Sequence, residues 1–299
     1  MRILLLGANG QVGHELRRSL RPLGEVIATT RQGLLDGVAG EHADFDQPAS
    51  LAGLIERIAP DVVVNAAAYT AVDRAETERA AAFRANSEAP RQLARACAAC
   101  DALLIHYSTD YVFDGLGTRP YREEDPTAPL GVYGASKLAG EQAIQASGAR
   151  HLIFRTGWVY GQHGANFMRT MLRVSGERDE LRVVADQVGA PTPAALIADV
   201  TARVIAPSHA TSGLFHLTAG GQTSWHGFAT AIFEQAHRNG MLARIPRVVP
   251  ITTAEYPTPA RRPAYSCLDS TSLQRTFDIA LPDWQQGLER VLGAGSIAA

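Results

Sequence analysis

The stretch RILLLGANGQVGHELRRSL, residues 2–20, decides the fold. It begins with a short apolar run, passes through three glycines and continues with apolar residues at helical spacing, which predicts a strand, a turn and a helix. Gly7, Gly10 and Gly13 have the spacing GxxGxxG. Glycines allow a tight turn and let the backbone approach a pyrophosphate, and the helix N-terminus offers free N–H groups to the phosphates. We therefore predict a dinucleotide-binding unit; the alternative is a tight turn that binds no ligand.

The rest of the first half repeats this alternation of strand and helix. Apolar or β-branched runs predict four more strands, with amphipathic or alanine-rich stretches between them. Strands that alternate with helices at this pace imply parallel βαβ units and a doubly wound α/β sheet of the Rossmann type. The predicted strands are residues 2–7, 24–30, 60–68, 102–109 and 151–161, and the predicted helices are residues 10–20, 50–58, 75–99 and a segment that begins near 132.

The second half has a looser rhythm. Helical and strand patterns still alternate after residue 160, but prolines cluster between residues 246 and 263, around the sequence RRPAYSCLD. No internal repeat or low-complexity linker separates the two halves. We predict a dinucleotide-binding domain over residues 1–160. A smaller C-terminal substrate-binding lobe is predicted over residues 161–299, and some of its elements are expected to return to the first domain.

The composition weighs against several classes of function. The 299 residues carry a formal net charge of -2, so no general positive field favours nucleic acid or an anionic membrane as partner. Apolar runs are too short for a signal sequence or a membrane span, and we expect a cytoplasmic protein. Three cysteines do not suit a disulfide framework. Cys97 and Cys100 are expected to be small buried residues rather than metal ligands.

The segment VYGASKLAGE, residues 132–141, carries the main candidates for chemistry. Tyr133 and Lys137 are four residues apart, so they share one face of the predicted helix. A nearby ammonium would lower the pKa of the tyrosine, whose ordinary value of about 10 is too high for efficient exchange near neutrality. Ser108 and Thr109, after the fourth predicted strand, could place a hydroxyl there, although such residues also serve in turns. The pattern predicts a proton donor; the alternative is the start of a surface helix.

The residue after the second predicted strand bears on the choice of dinucleotide. An acidic residue usually binds the ribose hydroxyls of NAD at this point, but Arg31 occupies the position here. An arginine can pair with the 2′-phosphate of NADP. We therefore predict NADPH as the cofactor. NADH stays open, because Asp36 could take the place of the usual acid.

Motifs along the chain resemble those of a known family. The glycine motif, the NAAA that follows the third predicted strand, the Ser/Thr pair and YxxxK are similar to those of the extended short-chain dehydrogenases/reductases. Seven segments in order resemble, more specifically, the dTDP-4-dehydrorhamnose reductases, and their combination is much more specific than YxxxK alone. These segments are GQVGHEL, NAAAYTAVDRAE, STDYVFDG, YGASKLAGE, FRTGWVYG, DQVGAPT and RRPAYSCLD.

The resemblance implies roles for individual residues. Tyr133 would be the proton donor, Lys137 its partner, and Thr109 the third catalytic residue. Together with the residues named above, it gives a cofactor site of Gly7, Gly10, Gln11, Val12, Arg31, Asp44, Phe45, Ala68, Tyr69, Thr70, Tyr133 and Lys137. The implied substrate site is Thr109, Asp110, Tyr111, Trp158 and Arg262, with Arg262 on the diphosphate. The alternatives are a turn residue for Asp110, a core aromatic for Trp158 and an ion pair for Arg262.

The activity implied is NADPH-dependent reduction of the 4-keto group of dTDP-4-dehydro-L-rhamnose, a nucleotide sugar, to dTDP-L-rhamnose. One alternative is a related 4-ketoreductase that makes a talose-type epimer. Another is a non-catalytic NADP-binding regulatory subunit, against which the intact Thr109, Tyr133 and Lys137 argue. A homodimer is left open.

Three further residues qualify the resemblance. Glu15 matches a position implicated in Mg²⁺ binding in some members, but a lone glutamate on a helix is usually just solvated, so we predict no metal ligand and leave Mg²⁺ uncertain. Tyr69 stands where histidine is common in the family, and Gly157 stands where serine is common. These two departures remove no catalytic group, but they could retune the pocket.

Overall fold

A seven-stranded sheet lies at the centre of the computed structural model, which describes residues 1–205 and 211–293. In chain order the strands are β1 (Arg2–Leu6), β2 (Glu25–Thr30), β3 (Leu34–Leu35), β4 (Val38–Ala39), β5 (Glu41–His42), β6 (Val62–Asn65), β7 (Leu103–Thr109), β8 (His151–Thr156), β9 (Val159–Tyr160), β10 (Glu180–Val184), β11 (Val188–Gly189), β12 (Thr192–Pro193), β13 (Gly213–His216), β14 (Thr223–Ser224) and β15 (Arg247–Ile251). The central sheet has the order β13-β8-β7-β6-β1-β2-β5, and all of its pairs are parallel.

Helices cover both faces of this sheet. They are α1 (Gln11–Ser19), α2 (Ser50–Ile58), α3 (Val72–Ala75), α4 (Arg79–Phe83), α5 (Ala89–Cys100), α6 (Val132–Gln145), α7 (Phe167–Ser175), α8 (Ala194–Val204), α9 (Trp225–Arg238), α10 (Thr271–Phe277) and α11 (Trp284–Gly293), with a π-helical segment over Arg84–Glu88. The crossovers between parallel strands run through these helices, as βαβ connections require, except that β2 and β5 are joined through the β3–β4 hairpin.

The side chains of β1 show how the two layers arise. Ile3 and Leu5 point to one face and pack with α1, α8 and α10, whereas Leu4 and Leu6 point to the other and pack with α2, α5 and α6. Successive strand residues alternate between the faces of a sheet, so a fully apolar strand has a core on both sides. The predicted doubly wound parallel sheet of the Rossmann type is confirmed.

A third apolar core lies away from the central sheet. It is built by α7, α9, α11 and the parallel pair β10–β15, around Phe228, Phe233 and Trp284. Other elements from the second half join the first: β13 is the edge strand beside β8, and α8 and α10 pack on the face of the sheet that also holds α1. We keep the division at residue 160 as a proposal, and residues 206–210 and 294–299 of the proposed lobe lie outside the described residues.

Some predicted elements have different limits in the structure. The predicted helix 75–99 is interrupted at residues 76–78 and contains the π-helical turn. The predicted strand 151–161 is divided into β8 and β9 in the structure, because Trp158, which lies between them, has a φ of 52° that a strand cannot accommodate. The short strands β3, β4 and β5 were not predicted, since two residues carry no readable alternation. Within the described ranges, no helix combines the length and the apolar character needed to cross a membrane.

Candidate active site

The turn between β1 and α1 forms one wall of the site. Gly7 has a φ of 77°, and a Cβ there would lie 2.7 Å from the backbone nitrogen of Ala67, so only glycine fits. A Cβ on Gly13 would lie 2.1 Å from the carbonyl oxygen of Gly7. Helix α1 begins at Gln11 with no side-chain cap and no acidic residue in its first turn. The N–H groups of that turn lack intrahelical acceptors and can bind an anion.

An open cleft of about 590 Å³ adjoins this turn, at the carboxyl ends of the parallel strands. This is where an open α/β sheet binds its ligands. All twelve residues of the predicted cofactor site line it: Gly7, Gly10, Gln11, Val12, Arg31, Asp44, Phe45, Ala68, Tyr69, Thr70, Tyr133 and Lys137. Residues separated by more than a hundred positions thus share one cleft, and their roles remain predictions.

Buried polar atoms in the cleft test whether a dinucleotide would fit. Ser108 Oγ and Thr156 Oγ1 are buried and have no hydrogen-bond partner in the described structure, and both residues line the cleft. Unpaired buried hydroxyls are costly, so a ligand that bonds to them would be favoured. Together with the glycine turn, these donors suit a polar ligand with phosphates.

Half of the cleft lining lies outside the predicted cofactor site, although Ser108 was already considered as the source of a hydroxyl. The additional residues are Asn9, Ala43, Asp46, Ala66, Ala67, Ala85, Tyr107, Ser108, Thr156, Val159, Gly164 and Ala165. Gly164 and Ala165 come from the loop before α7, where Asn166 donates a hydrogen bond of 3.0 Å from Nδ2 to Gln11 Oε1. The sequence carries no periodic signal for such a loop contact. Asn9 lay inside the glycine motif and could have been found there.

The environment of Arg31 bears on the choice of cofactor. Its side chain is mostly exposed and forms ion pairs with Asp46 and, at 3.7 Å, with Asp44. Asp36, the alternative acid, instead pairs with Arg17 of α1 and does not line the cleft in the described structure. Asp36 therefore does not lie where an acidic residue would bind the ribose of NAD.

Helix α6 brings Tyr133 and Lys137 to the cleft. The ring of Tyr133 meets that of Tyr111 edge to face, with centroids 5.8 Å apart. Burial raises the pKa of Tyr133, and the hydroxyl of Thr109 opposes this rise. Lys137 donates from Nζ to the carbonyl oxygen of Tyr107 at 2.6 Å, and the expectation that it lowers the pKa of Tyr133 stays a prediction. Burial lowers the pKa of Lys137 to about 8.

Thr109 and Asp110 form a buried polar pair beside Tyr133. Thr109 Oγ1 donates to Asp110 Oδ1 at 3.0 Å and accepts from the backbone N–H of Tyr111 at 3.1 Å. Burial raises the pKa of Asp110 to about 6, against the lowering effect of the Ser266 and Thr109 hydroxyls. Its Oδ2 is buried without a partner in the described structure. A Cβ on Gly157 would lie 2.6 Å from that oxygen. The serine that is common at this position in the family would therefore crowd the Asp110 carboxylate, whereas glycine leaves it room.

The remaining predicted substrate residues lie outside the cofactor cleft. Trp158 stacks on Trp225 with centroids 3.5 Å apart, and its Nε1 donates to Ser266 Oγ at 3.2 Å. Arg262 donates from Nη2 to Asp73 at 2.8 Å and from Nη1 to the hydroxyl of Tyr111 at 3.4 Å. The ion pair that was the alternative for Arg262 is therefore present. Through its hydrogen bond to the Tyr111 hydroxyl, Arg262 still adjoins the predicted substrate site.

Glu15, Cys97 and Cys100, the residues considered for metal binding or thiol chemistry, do not form such a site in the described part of the chain. Glu15 lies 3.6 Å from Arg18 on the same helix. Among residues 1–205 and 211–293, no group of three or more His, Cys, Asp or Glu side chains could hold a metal ion. Cys97 is buried as predicted, but the prediction is wrong for Cys100, which is exposed at the end of α5.

Comparison with known proteins identifies the family. A family model described as the RmlD substrate binding domain matches residues 1–296. A dTDP-4-dehydrorhamnose reductase from Shigella flexneri is 50% identical over 296 residues, which cover 98% of this chain and 97% of that protein. The chain belongs to the dTDP-4-dehydrorhamnose reductase family. A family member from Burkholderia thailandensis is 51% identical over 294 residues, covering 95% of this chain and 96% of its own.

Solved structures of the family have the same fold. A dTDP-4-dehydrorhamnose reductase from Bacillus anthracis, determined in complex with NADP, superposes with a TM-score of 0.89 at 35% identity. The match covers 98% of this chain and 99% of that one. A family member from Clostridium acetobutylicum has a TM-score of 0.89 at 37% identity, with the same coverage. The resemblance noted in the sequence motifs is thereby confirmed.

Proposed function

We propose that the protein reduces the 4-keto group of dTDP-4-dehydro-L-rhamnose with NADPH and so forms dTDP-L-rhamnose. The observation that carries this proposal is the meeting of Tyr133 and Lys137 with the glycine turn in one cleft. Proteins named for this reaction are 50% and 51% identical over nearly the whole chain. The Bacillus anthracis relative bound NADP in its crystal, which supports a nicotinamide cofactor here. A cytoplasmic location and a homodimer stay predictions.

The residues of the site divide the work of this reaction. NADPH, when bound, supplies the hydride. Tyr133 keeps its proton because burial raises the pKa of its phenol, and it can pass that proton to the oxygen of the reduced carbonyl. Thr109, beside Tyr133, is placed to hold the same oxygen by a hydrogen bond. Lys137 would anchor the cofactor at the edge of β7, where its Nζ is fixed by the Tyr107 carbonyl.

Activity with the purified protein tests the proposal. NADPH oxidation should depend on dTDP-4-dehydro-L-rhamnose, and NMR of the product should identify the C4 configuration of rhamnose. A talose-type product would replace the proposal by the epimer alternative. If no turnover occurs while NADPH still binds, the proposed activity fails and the regulatory-subunit alternative gains support.

The Tyr133→Phe variant tests the assignment of the proton donor. It removes one hydroxyl and little volume, so turnover should fall by roughly two to four orders of magnitude while NADPH still binds. Tyr160→Phe is the matched control, because the Tyr160 hydroxyl lies in the third core without a partner in the described structure. It should retain the wild-type rate. Near wild-type turnover in Tyr133→Phe would show that another group donates the proton.

A further inference from the structure

Lys137 has an unusual position in both the sequence and the fold. It is the only lysine among the 299 residues, whereas all the other basic residues counted with it are arginines. Its side chain is 2% exposed, and its Nζ faces β7. Two groups of β7 contact Nζ: the carbonyl oxygen of Tyr107 at 2.6 Å and Nε2 of His106 at 3.4 Å. The protonation of this amine therefore depends on whether Nε2 of His106 is a hydrogen-bond donor or an acceptor.

The hydrogen bonds of Asn65 determine which nitrogen of His106 carries its proton. Asn65 and His106 are register partners on the neighbouring strands β6 and β7, and both are fully buried. The backbone N–H of Ala67 can only donate, and it lies 3.1 Å from the side-chain oxygen of Asn65. The amide nitrogen of Asn65 therefore faces His106 Nδ1 at 3.0 Å. An amide NH₂ can only donate, so Nδ1 must accept.

The proton of the neutral imidazole is consequently on Nε2, the nitrogen that faces Lys137. Burial, with a smaller effect of Lys137, lowers the pKa of His106 well below its ordinary value, so the ring stays neutral. An ammonium has three donors and no acceptor, and it would meet the Nε2–H as a second donor. A free amine offers a lone pair to Nε2–H and still donates to the Tyr107 carbonyl. The pair is satisfied only when Lys137 is uncharged.

The charged groups around Lys137 do not reverse this preference. Glu141, one turn further along α6, raises the pKa of Lys137, but burial has the larger effect. The carboxylate of Glu141 is also bound by Arg155 of β8, whose Nη2 lies 2.7 Å from it. Tyr133, on the same face of α6, is kept neutral by burial.

We propose that His106 is a positioning residue, which Asn65 holds as the Nε2–H tautomer so that it favours the free amine of Lys137 over the ammonium. Asn65 and His106 thus control the protonation of Lys137, which lies on the same helix face as the proton donor Tyr133, although neither is expected to touch substrate. The consequence for catalysis rests on the proposed function. The consequence for the protonation of Lys137 does not, and it can be measured without substrate.

NMR on the whole protein tests the tautomer and the amine separately. Because there is a single lysine, lysine labelled with ¹³C at Cε gives one signal whose pH dependence belongs to Lys137. We expect its midpoint near the value of about 8 that burial in this site implies. A midpoint at the ordinary lysine pKa of about 10.4 would overturn the proposal. The ¹⁵N shifts of the His106 ring, identified by their loss in His106→Gln, should show a proton on Nε2; a proton on Nδ1 would equally overturn it.

The Asn65→Asp variant reverses the donor and acceptor roles along the hydrogen bonds from Asn65 through His106 to Lys137, called the relay here, at nearly constant shape. A carboxylate still accepts from the Ala67 N–H, but it also accepts from the ring, which moves the proton to Nδ1. Nε2 then becomes an acceptor that suits the ammonium. The Lys137 midpoint should rise by about one pH unit or more, a tenfold change in the ratio of amine to ammonium.

The same substitution in a His106→Leu background separates the relay from the added charge, because leucine can neither accept from residue 65 nor donate to Lys137. Without an imidazole, the rise caused by Asn65→Asp should be clearly smaller. An equal rise in both backgrounds would mean that charge alone acts, which contradicts the proposal. If Asn65→Asp does not fold, His106→Leu alone decides, since leucine removes the N–H that bonds to the free amine and should raise the midpoint. An unchanged midpoint in His106→Leu would refute the role of His106.

Kinetics connect the relay to the reaction. The limb of kcat/KM against pH that follows the titration of Lys137 should move upwards in His106→Leu together with the NMR midpoint. A merely structural role would lower stability without moving this limb. A limb that stays in place while the midpoint moves would overturn the link to catalysis. A wild-type protein that does not turn over the sugar nucleotide would refute the proposed function instead, and the NMR results would still stand.

Discussion

Arg31 shows how a single residue at the rim of the cleft can select the cofactor. Its guanidinium is already engaged by Asp46 and Asp44, so a 2′-phosphate would have to compete with two carboxylates. The Arg31→Ala variant should weaken NADPH more than NADH, by about 1–3 kcal/mol for a lost charge-assisted contact. Binding of both cofactors, measured by fluorescence titration, gives the difference directly.

Arg84 provides the matched control for this prediction. It also reaches Asp46, at 3.6 Å, but it does not line the cleft in the described structure. Arg84→Ala should therefore leave the ratio of NADPH to NADH affinity unchanged. Equal weakening of both cofactors by Arg31→Ala, or an effect of the same size in Arg84→Ala, would assign the preference to another residue.

Single residues were predictable from the sequence where a local pattern named them. Tyr133 and Lys137 are linked by one helical turn, and the glycines of the first turn are linked by their spacing. His106 and Asn65 were not predicted, since they lie 41 positions apart and meet only through the register of β6 and β7. No local period in a chain describes which residues of two parallel strands become neighbours. The same reason explains why the ion pair between Arg262 and Asp73 was only an alternative.

Helix α6 is held by unusually close contacts, which place its two functional residues. A Cβ on Gly140 would lie 2.1 Å from the carbonyl oxygen of Asn86, in the π-helical segment. The Asn86 side chain donates to Ser136 Oγ at 3.0 Å and accepts from the backbone N–H of Tyr69 at 2.8 Å. The π-helical segment therefore connects α6 with the loop after β6 that lines the cleft.

A methyl group at this contact should destabilise the protein. Gly140→Ala forces two backbones apart, and overpacking of this kind costs about 1–3 kcal/mol. Gly53→Ala is the control, because Gly53 lies inside α2 and a Cβ there would have no neighbouring atom within 4 Å. It should stabilise by about 0.5–1 kcal/mol, as alanine does in a helix interior. Urea unfolding of both variants measures this, and a neutral Gly140→Ala would show that the contact relaxes freely.

The elements of the fold were predictable in proportion to their length. The strands of the first half carry apolar runs long enough to read, and the order of strands and helices then implied the parallel sheet. The two-residue strands and the break at residues 76–78 have no such signal. The second half also carries strand patterns, but the place of β13 beside β8 depends on packing that brings this half back to the sheet.

One contact between the two halves of the molecule lies around Asp73 and Arg262. Asp73 lies in α3 of the first half, and it accepts from the backbone N–H of Ala260 at 3.2 Å as well as from Arg262. This contact fixes the proline-rich segment of the second half against the first, next to Tyr111. The family resemblance implied a diphosphate ligand for Arg262, whereas the structure gives it a carboxylate partner in addition. The two roles predict different kinetics.

Arg262→Ala should mainly raise KM for the dTDP-sugar, by about ten- to a hundredfold, and leave kcat and NADPH affinity nearly unchanged. A contact to the diphosphate persists through the reaction, so it contributes uniform binding worth about 1.5–3 kcal/mol. Arg261→Ala, at the exposed neighbouring arginine, is the control and should have little effect. Asp73→Asn distinguishes the two roles, because it removes the carboxylate and leaves the guanidinium. If Arg262 binds the diphosphate, Asp73→Asn should not raise KM; if it only joins the halves, both variants should show the same loss.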